Sequence, residues 1–278
     1  MSPPRERPRL DASLAGRSLG GSTYEVTAQA IEAYARATND PNPAYRAGPN
    51  AVAGPVWPVV PAFPGFMGAA REPGLGVDVR RLLHMGEEHT LFRPIRPGDV
   101  LQVEWVLEAV DHLDNGDAFT VVATEATIEG EPVAEVRGRL FVRGGGRAPT
   151  RPVRDRPAPV HEHRARVDDD QMQRYAEASG DRNPIHLDAR AARLAGLRRP
   201  ILHGMCTMAM ATAGAVEGLA GGDPTRVAHV RVSFARPVVP GDELVTAFWP
   251  LGGARYGFET VTRGGAPVIE DAEVEIRG

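Results

Sequence analysis

The sequence predicts an α+β protein written twice: two curled antiparallel sheets, each wrapped around one long helix, joined in a single chain. Three observations carry this. The segments "YARATNDPNPAY" (Tyr34 to Tyr45) and "YAEASGDRNPIH" (Tyr175 to His186) agree at six of twelve positions. "RPIRPGD" (Arg93 to Asp99) returns as "RPVVPGD" (Arg236 to Asp242), and 59 residues separate the first aspartate from the last in one half (Asp40 to Asp99) against 61 in the other (Asp181 to Asp242). In both halves a helical period then gives way to runs rich in Val, Thr and aromatics, punctuated by Gly, Asp, Asn and Pro. Such self-similarity marks an internal duplication of about 140 residues.

Each element follows from its local pattern. Residues 27–38 and 168–179 carry apolar residues at helical spacing, with Thr27 and Asp168 placed as N-caps. "PAFPGFMGAA" and "HGMCTMAMATAGAVEGLA" read as helices apolar on every side, which must therefore be surrounded by protein. Strands are expected over Val103 to Asp111, Ala118 to Ile128 and Val133 to Val142, then over Arg226 to Phe234, Glu243 to Phe248, Tyr256 to Thr262 and Val268 to Ile276. His161 and His163 alternate along one further strand; with no third ligand nearby in sequence they read as exposed strand residues, not a metal pair. The division is a loosely held tail (1–18), a first unit (19–143), a linker of Pro, Gly and Arg (144–158) and a second unit (159–278).

Composition excludes several function classes. With 278 residues, 42% of them apolar, the chain is long enough to bury a core. A net charge of −4 with dispersed arginines leaves no footprint for nucleic acid or an anionic membrane. No apolar run approaches the roughly 18 to 20 residues that span a bilayer, and the first residues contain no apolar signal segment, so a cytoplasmic location is expected. There is no lysine, which removes Schiff-base and P-loop chemistry. The single cysteine, Cys206, permits neither an intrachain disulfide nor a thiolate zinc cage, and reads as a small buried residue.

The order Tyr-Ala-x-Ala-Ser-Gly-Asp, then x-Asn-Pro-x-His, then a His-Gly opening a long apolar helix, resembles the signature of the MaoC-like (R)-specific enoyl thioester hydratases and 3-hydroxyacyl thioester dehydratases. "ASGDRNPIH" (Ala178 to His186) matches it closely, and both halves take part. The resemblance implies a double hot-dog fold, a pseudo-dimer within one chain that acts as a monomer or pairs further. It also implies that Asp181 and His186 form the catalytic pair, that Asn183 positions the loop, and that Gly204, after His203, offers its N–H to the thioester carbonyl. The implied substrate is an acyl group on CoA or an acyl carrier protein, with no metal and no separate cofactor.

The chemistry suits these residues. Adding water across C2–C3 of an enoyl thioester needs an activated water, a proton for C2 and donors for the enolate oxygen. Imidazole titrates near neutrality, a carboxylate kept from water can hold a proton, and the first N–H groups of a helix lack partners. Which member of the pair is formal base stays open. Plainer roles exist: Asp181 and Asn183 as turn formers, His186 as a core histidine, Gly204 as a packing residue, His203 as structural support. In the first half Tyr45 replaces His186, Pro64 is aligned with His203 and Asn39 with Gly180, so that half is expected to house the acyl chain. Trp57, Val60, Phe63, Phe66 and Met67 are its expected wall, and Arg198 and Arg199 are candidate contacts for the carrier's phosphates. The rival readings are a hot-dog thioesterase and a non-catalytic acyl-binding or partner-stabilising subunit.

Overall fold

The structure, a computed structural model, describes residues 9–144 and 156–278. Ten strands form one antiparallel sheet: β1 (Arg17–Glu25), β2 (Leu82–Leu91), β3 (Val100–Leu113), β4 (Gly116–Thr127), β5 (Pro132–Arg143), β6 (His161–Arg166), β7 (Val227–Phe234), β8 (Glu243–Gly252), β9 (Arg255–Thr262) and β10 (Pro267–Ile276). The helices are α1 (Ala28–Ala37), α2 (Val59–Ala70), α3 (Gln171–Ser179), α4 (Pro184–Leu187), α5 (Ala189–Leu194) and α6 (Gly204–Gly218).

The spatial order β1-β3-β4-β5-β2-β7-β10-β9-β8-β6 exposes the duplication. Read outward from the centre, each half runs edge to edge in the same sequence, and β2 pairs with β7 (Glu88 opposite Arg231, His89 opposite Val230) to fuse the halves. The two expected sheets are thus five-stranded units of one continuous sheet, curled around α2 and α6. This is the double hot-dog arrangement that the resemblance implies.

Strand alternation builds the core. In β3, Leu101, Val103, Trp105 and Leu107 are buried while Gln102, Glu104 and Glu108 face water, the period-2 pattern of a strand covered on one face. Each such buried side chain contributes about 1.5–3 kcal/mol. Trp105 Nε1 also donates to the Ala62 carbonyl of α2 at 2.9 Å, which ties helix to sheet. Around α6, Gly214 and Gly218 stand where any Cβ would collide with His163 and His161 of β6, so glycine there permits strand and helix to touch.

Several expectations need correction. Leu82–Leu91 and Arg17–Glu25 are strands that the patterns missed. Asp168 does not cap α3: Asp170 holds that position, and the Asp168 carboxylate binds Arg174 (2.7 Å) and, across the halves, Asn39 (2.9 Å). Residues 9–18 are not a loose tail, because Leu10 is buried and Arg9 pairs with the buried Asp117 at 2.6 Å. Residues 1–8 of that tail, and 145–155 of the expected linker, lie outside the described residues. His161 and His163 are not exposed; His161 stacks on Phe248 and His163 bonds Glu217 at 2.9 Å.

The halves also meet through α1 and α3, where the hydroxyls of Tyr34 and Tyr175 lie 3.4 Å apart. Among the described residues, no helix is long and apolar enough to cross a membrane.

Candidate active site

The two loops that follow α1 and α3 are built alike. Asn39 (φ 56°) and Gly180 (φ 81°) adopt the left-handed backbone that turns the chain out of each helix. Asp40 and Asp181 then each accept a hydrogen bond from the N–H two residues on, Asn42 at 3.1 Å and Asn183 at 3.0 Å. Asn42 and Asn183 repeat the device by capping the short helices that start at Pro43 and Pro184. These Asx turns recur in the half without histidine. They account for the loop's shape and not for a difference in chemistry.

What differs is what faces the second oxygen of the aspartate. His186 is buried, and its Nδ1 lies 2.9 Å from the Ile201 carbonyl. A carbonyl only accepts, so Nδ1 carries the proton and Nε2 is left with its lone pair. Asp181 Oδ2 lies 4.0 Å from Nε2, wide of a direct bond and within reach of one shared water. Burial pushes the His186 imidazole below its ordinary value, against the opposing pull of the Asp181 charge, so the neutral base is the stable form near neutrality.

His203 stacks on His186 with ring centroids 3.8 Å apart, and its Nε2–H donates to the Asp181 backbone carbonyl at 3.0 Å. Burial, reinforced by the neighbouring His186, holds its imidazole well below the usual range. His203 therefore braces the loop and the His186 ring together. Asp181, His186 and His203 bring possible metal ligands within 4.8 Å of one another. The two rings are stacked, however, and one nitrogen of each is committed to a carbonyl. That donor set fits proton transfer through a water better than a chelated ion.

Gly204 is the first residue of α6, after the N-cap His203. Its N–H is among those left without an intrahelical partner and sits at the positive end of the helix dipole. A Cβ at this position would press on the Phe234 ring at 3.2 Å, so the missing side chain keeps the approach to that N–H open.

All these groups line one cavity of about 230 Å³ between the halves. The first half contributes Phe63, Phe66, Met67, Leu82, His84 and Leu140; the second adds Ile185, Phe234 and Arg236 among others. Phe63, Phe66 and Met67 thus lie where an acyl wall was expected. Trp57 and Val60 do not: both are buried in the core, and Trp57 packs edge-on against Tyr24. Arg198 and Arg199 are exposed and do not line the cavity, whereas Arg236 does. His84 and Phe234 escaped sequence reasoning, His84 because the strand that carries it was itself missed. The repeated "RP" after β7 was the one available pointer to Phe234 and Arg236.

The first half's equivalent of this site is a space of about 20 Å³. Register corrects the alignment of Pro64 with His203, since Pro64 lies inside α2. Leu202 N donates to the Val238 carbonyl and Ala53 N to the Ile95 carbonyl, at matching points of the two RP loops. Gly54 therefore answers His203, and Pro55 answers Gly204. Pro55 has no N–H to offer. The Tyr45 hydroxyl is buried without a partner among the described residues.

Residues 149–272 match the family model described as MaoC like domain, and residues 13–136 match FAS1-like, dehydratase domain region. The chain is 34% identical over 237 residues to 3-hydroxyacyl-thioester dehydratase Y of Mycobacterium tuberculosis, covering 77% of this chain and 78% of that protein. It is 29% identical over 208 residues to Probable enoyl-CoA hydratase 2 of Dictyostelium discoideum, covering 70% of each. To mouse Peroxisomal multifunctional enzyme type 2 it is 30% identical over 241 residues, 80% of this chain but only 31% of that longer protein. Among solved structures, a MaoC-like dehydratase from Phytophthora capsici superposes with a TM-score of 0.83 at 24% identity, covering 96% of this chain and 98% of that one, a likeness of fold.

Proposed function

The chain belongs to the MaoC-like family of hydratases and dehydratases, and from that premise we propose that it adds water reversibly across trans-2-enoyl thioesters, the reverse being dehydration of (3R)-3-hydroxyacyl thioesters. The observation that carries this is the gap of 4.0 Å between His186 Nε2 and Asp181 Oδ2, in one cavity with Gly204, whose N–H opens α6 and has no intrahelical partner.

In the proposed reaction one water sits between the pair. His186 Nε2 takes a proton from it as its oxygen bonds to C3, and the C2–C3 π electrons shift toward the thioester oxygen. The Gly204 N–H, at the positive end of α6, stabilises that enolate. The pair then returns the proton to C2, so the net addition is one water and no group is oxidised or reduced. Asn183 acts by holding the loop, and His203 by holding both His186 and Asp181.

Phe63, Phe66 and Met67 support a route for the acyl chain into the first half, and Arg236 with exposed Arg198 and Arg199 supports an anionic carrier at the mouth. The carrier is CoA or an acyl carrier protein. A crotonyl thioester tests the reading: hydration removes the enoyl absorbance and leaves the thioester intact. Release of free thiol points to a thioesterase, and binding without turnover to a non-catalytic subunit; either result contradicts the proposal.

A further inference from the structure

One polar side chain of the cavity, His84, comes from the half that lacks the catalytic motif. His84 lies near the start of β2, just before a β-bulge: its Cα partner on β5 is Leu140, while Gly86, two residues on, pairs with the adjacent Arg139. A bulge re-aims the side chains around it, and His84 lines the cavity with Phe66 and Phe234. Its ring packs against theirs, 6.5 Å and 5.1 Å between centroids.

The orientation of this ring is imposed from behind. His84 Nε2 lies 2.6 Å from Oε2 of Glu87, whose side chain is fully buried. Among the described residues Glu87 Oε1 has no hydrogen bond, and Nε2 of the buried His89 lies 3.4 Å from it. Burying a carboxylate costs several kcal/mol unless a partner offsets it, and here the close partner is a ring whose other nitrogen, Nδ1, has no hydrogen bond among the described residues. The Phe234 ring that packs on His84 also lies against Gly204, so the His84 ring stands at the Gly204 end of the cavity.

We propose that His84, positioned by Glu87, contacts the substrate across the cavity from Asp181 and His186, hydrogen-bonding an oxygen at the reacting end of the acyl thioester. The active site is then composite: the second half supplies the base, the carboxylate and the helix N–H, and the first half supplies a further polar contact. Glu87 is a positioning residue in this scheme. The inference rests on the reading of the cavity as the thioester site.

The test is steady-state hydration of crotonyl-CoA by wild type, His84→Gln and the double variant His84→Phe/Glu87→Gln, which removes the buried charge together with its partner. Loss of a preorganised hydrogen-bond partner predicts a fall in kcat of about tenfold or more in the double variant, with KM within about threefold. His84→Gln, which keeps a hydrogen-bonding amide, is expected to recover much of it. Should the double variant melt early, His84→Leu at this partly exposed position carries the same expectation. A folded variant with kcat within about twofold of wild type, or a loss confined to KM, overturns the inference. If wild type itself leaves the enoyl absorbance unchanged, the reading of the site fails and the inference with it; if wild type and variant hydrate equally well, only the inference fails.

Discussion

The two halves share a loop and differ in four groups. Where the second half has His186, His203 and Gly204, the first has Tyr45, Gly54 and Pro55, and its equivalent space is about 20 Å³ instead of about 230 Å³. The fourth difference runs the other way, since the first half sends His84 into its neighbour's cavity. The lesson is that one Asp-x-Asn-Pro turn is a structural device in both halves. In the proposed reaction it becomes chemical only where a neutral imidazole and the first N–H of a helix converge on it.

Gly204→Pro writes the first half's choice into the second. Proline is tolerated at the first position of a helix, and His203 before it already has the extended backbone that a following proline requires (φ −60°, ψ 134°). Only the N–H is lost, apart from ring contacts with Phe234. The expected outcome is a fall in kcat on the order of 10²–10³-fold with the helical circular dichroism retained; normal turnover would remove Gly204 from the oxyanion role.

A smaller effect concerns proton affinity. His186 is held below its ordinary value by burial and pulled back up by Asp181. The acid limb of kcat/KM should therefore fall below about pH 6.5, and Asp181→Asn should lower the imidazole further, read by NMR titration of His186. Because the unfolded chain takes up protons that buried His186 and His203 refuse, stability is also expected to drop as pH falls through that value. An upward shift in the variant would contradict the pairing.

These contrasts were only partly legible in the sequence. The duplication, the meanders and the Asp181 to His186 loop follow from repeats and period, because apolar alternation such as that of β3 is imposed by a one-sided core. β2 was hidden because Glu87 and His89, fully or nearly buried, occupy inward positions that a strand pattern reserves for apolar residues. β1 was hidden because "RSLGGSTYE" is an edge strand with no buried face to impose alternation. The matching of Pro55 with Gly204 needed the hydrogen-bond register, since the segments before α2 and α6 differ in length and residue type. Trp57 was misread because bulky apolar surface serves a core as well as a pocket.

The smallest expected effect lies away from the cavity, in the first half's own core. Glu125 of β4 is buried with neither oxygen hydrogen-bonded among the described residues, and burial holds its carboxyl well above the usual range. Stability is penalised as pH rises above about 4.5, where the unfolded chain releases this proton and the folded one retains it. Glu125→Gln should raise stability at neutral pH by roughly 1–3 kcal/mol, a gain that shrinks toward pH 4, with hydration unchanged. A variant equally stabilised at both pH values would point to packing.

The central claim is that the water-activating chemistry belongs to the second half, and hydration of a crotonyl thioester by His186→Ala beside Tyr45→Phe tests it most directly. His186→Ala is expected to lose turnover by on the order of 10²–10⁴-fold, the range for a general base. Tyr45→Phe deletes a buried hydroxyl that has no partner among the described residues, and is expected to keep the wild-type rate with equal or higher stability. Near-normal hydration by His186→Ala, or its loss in Tyr45→Phe, would contradict the division between the halves.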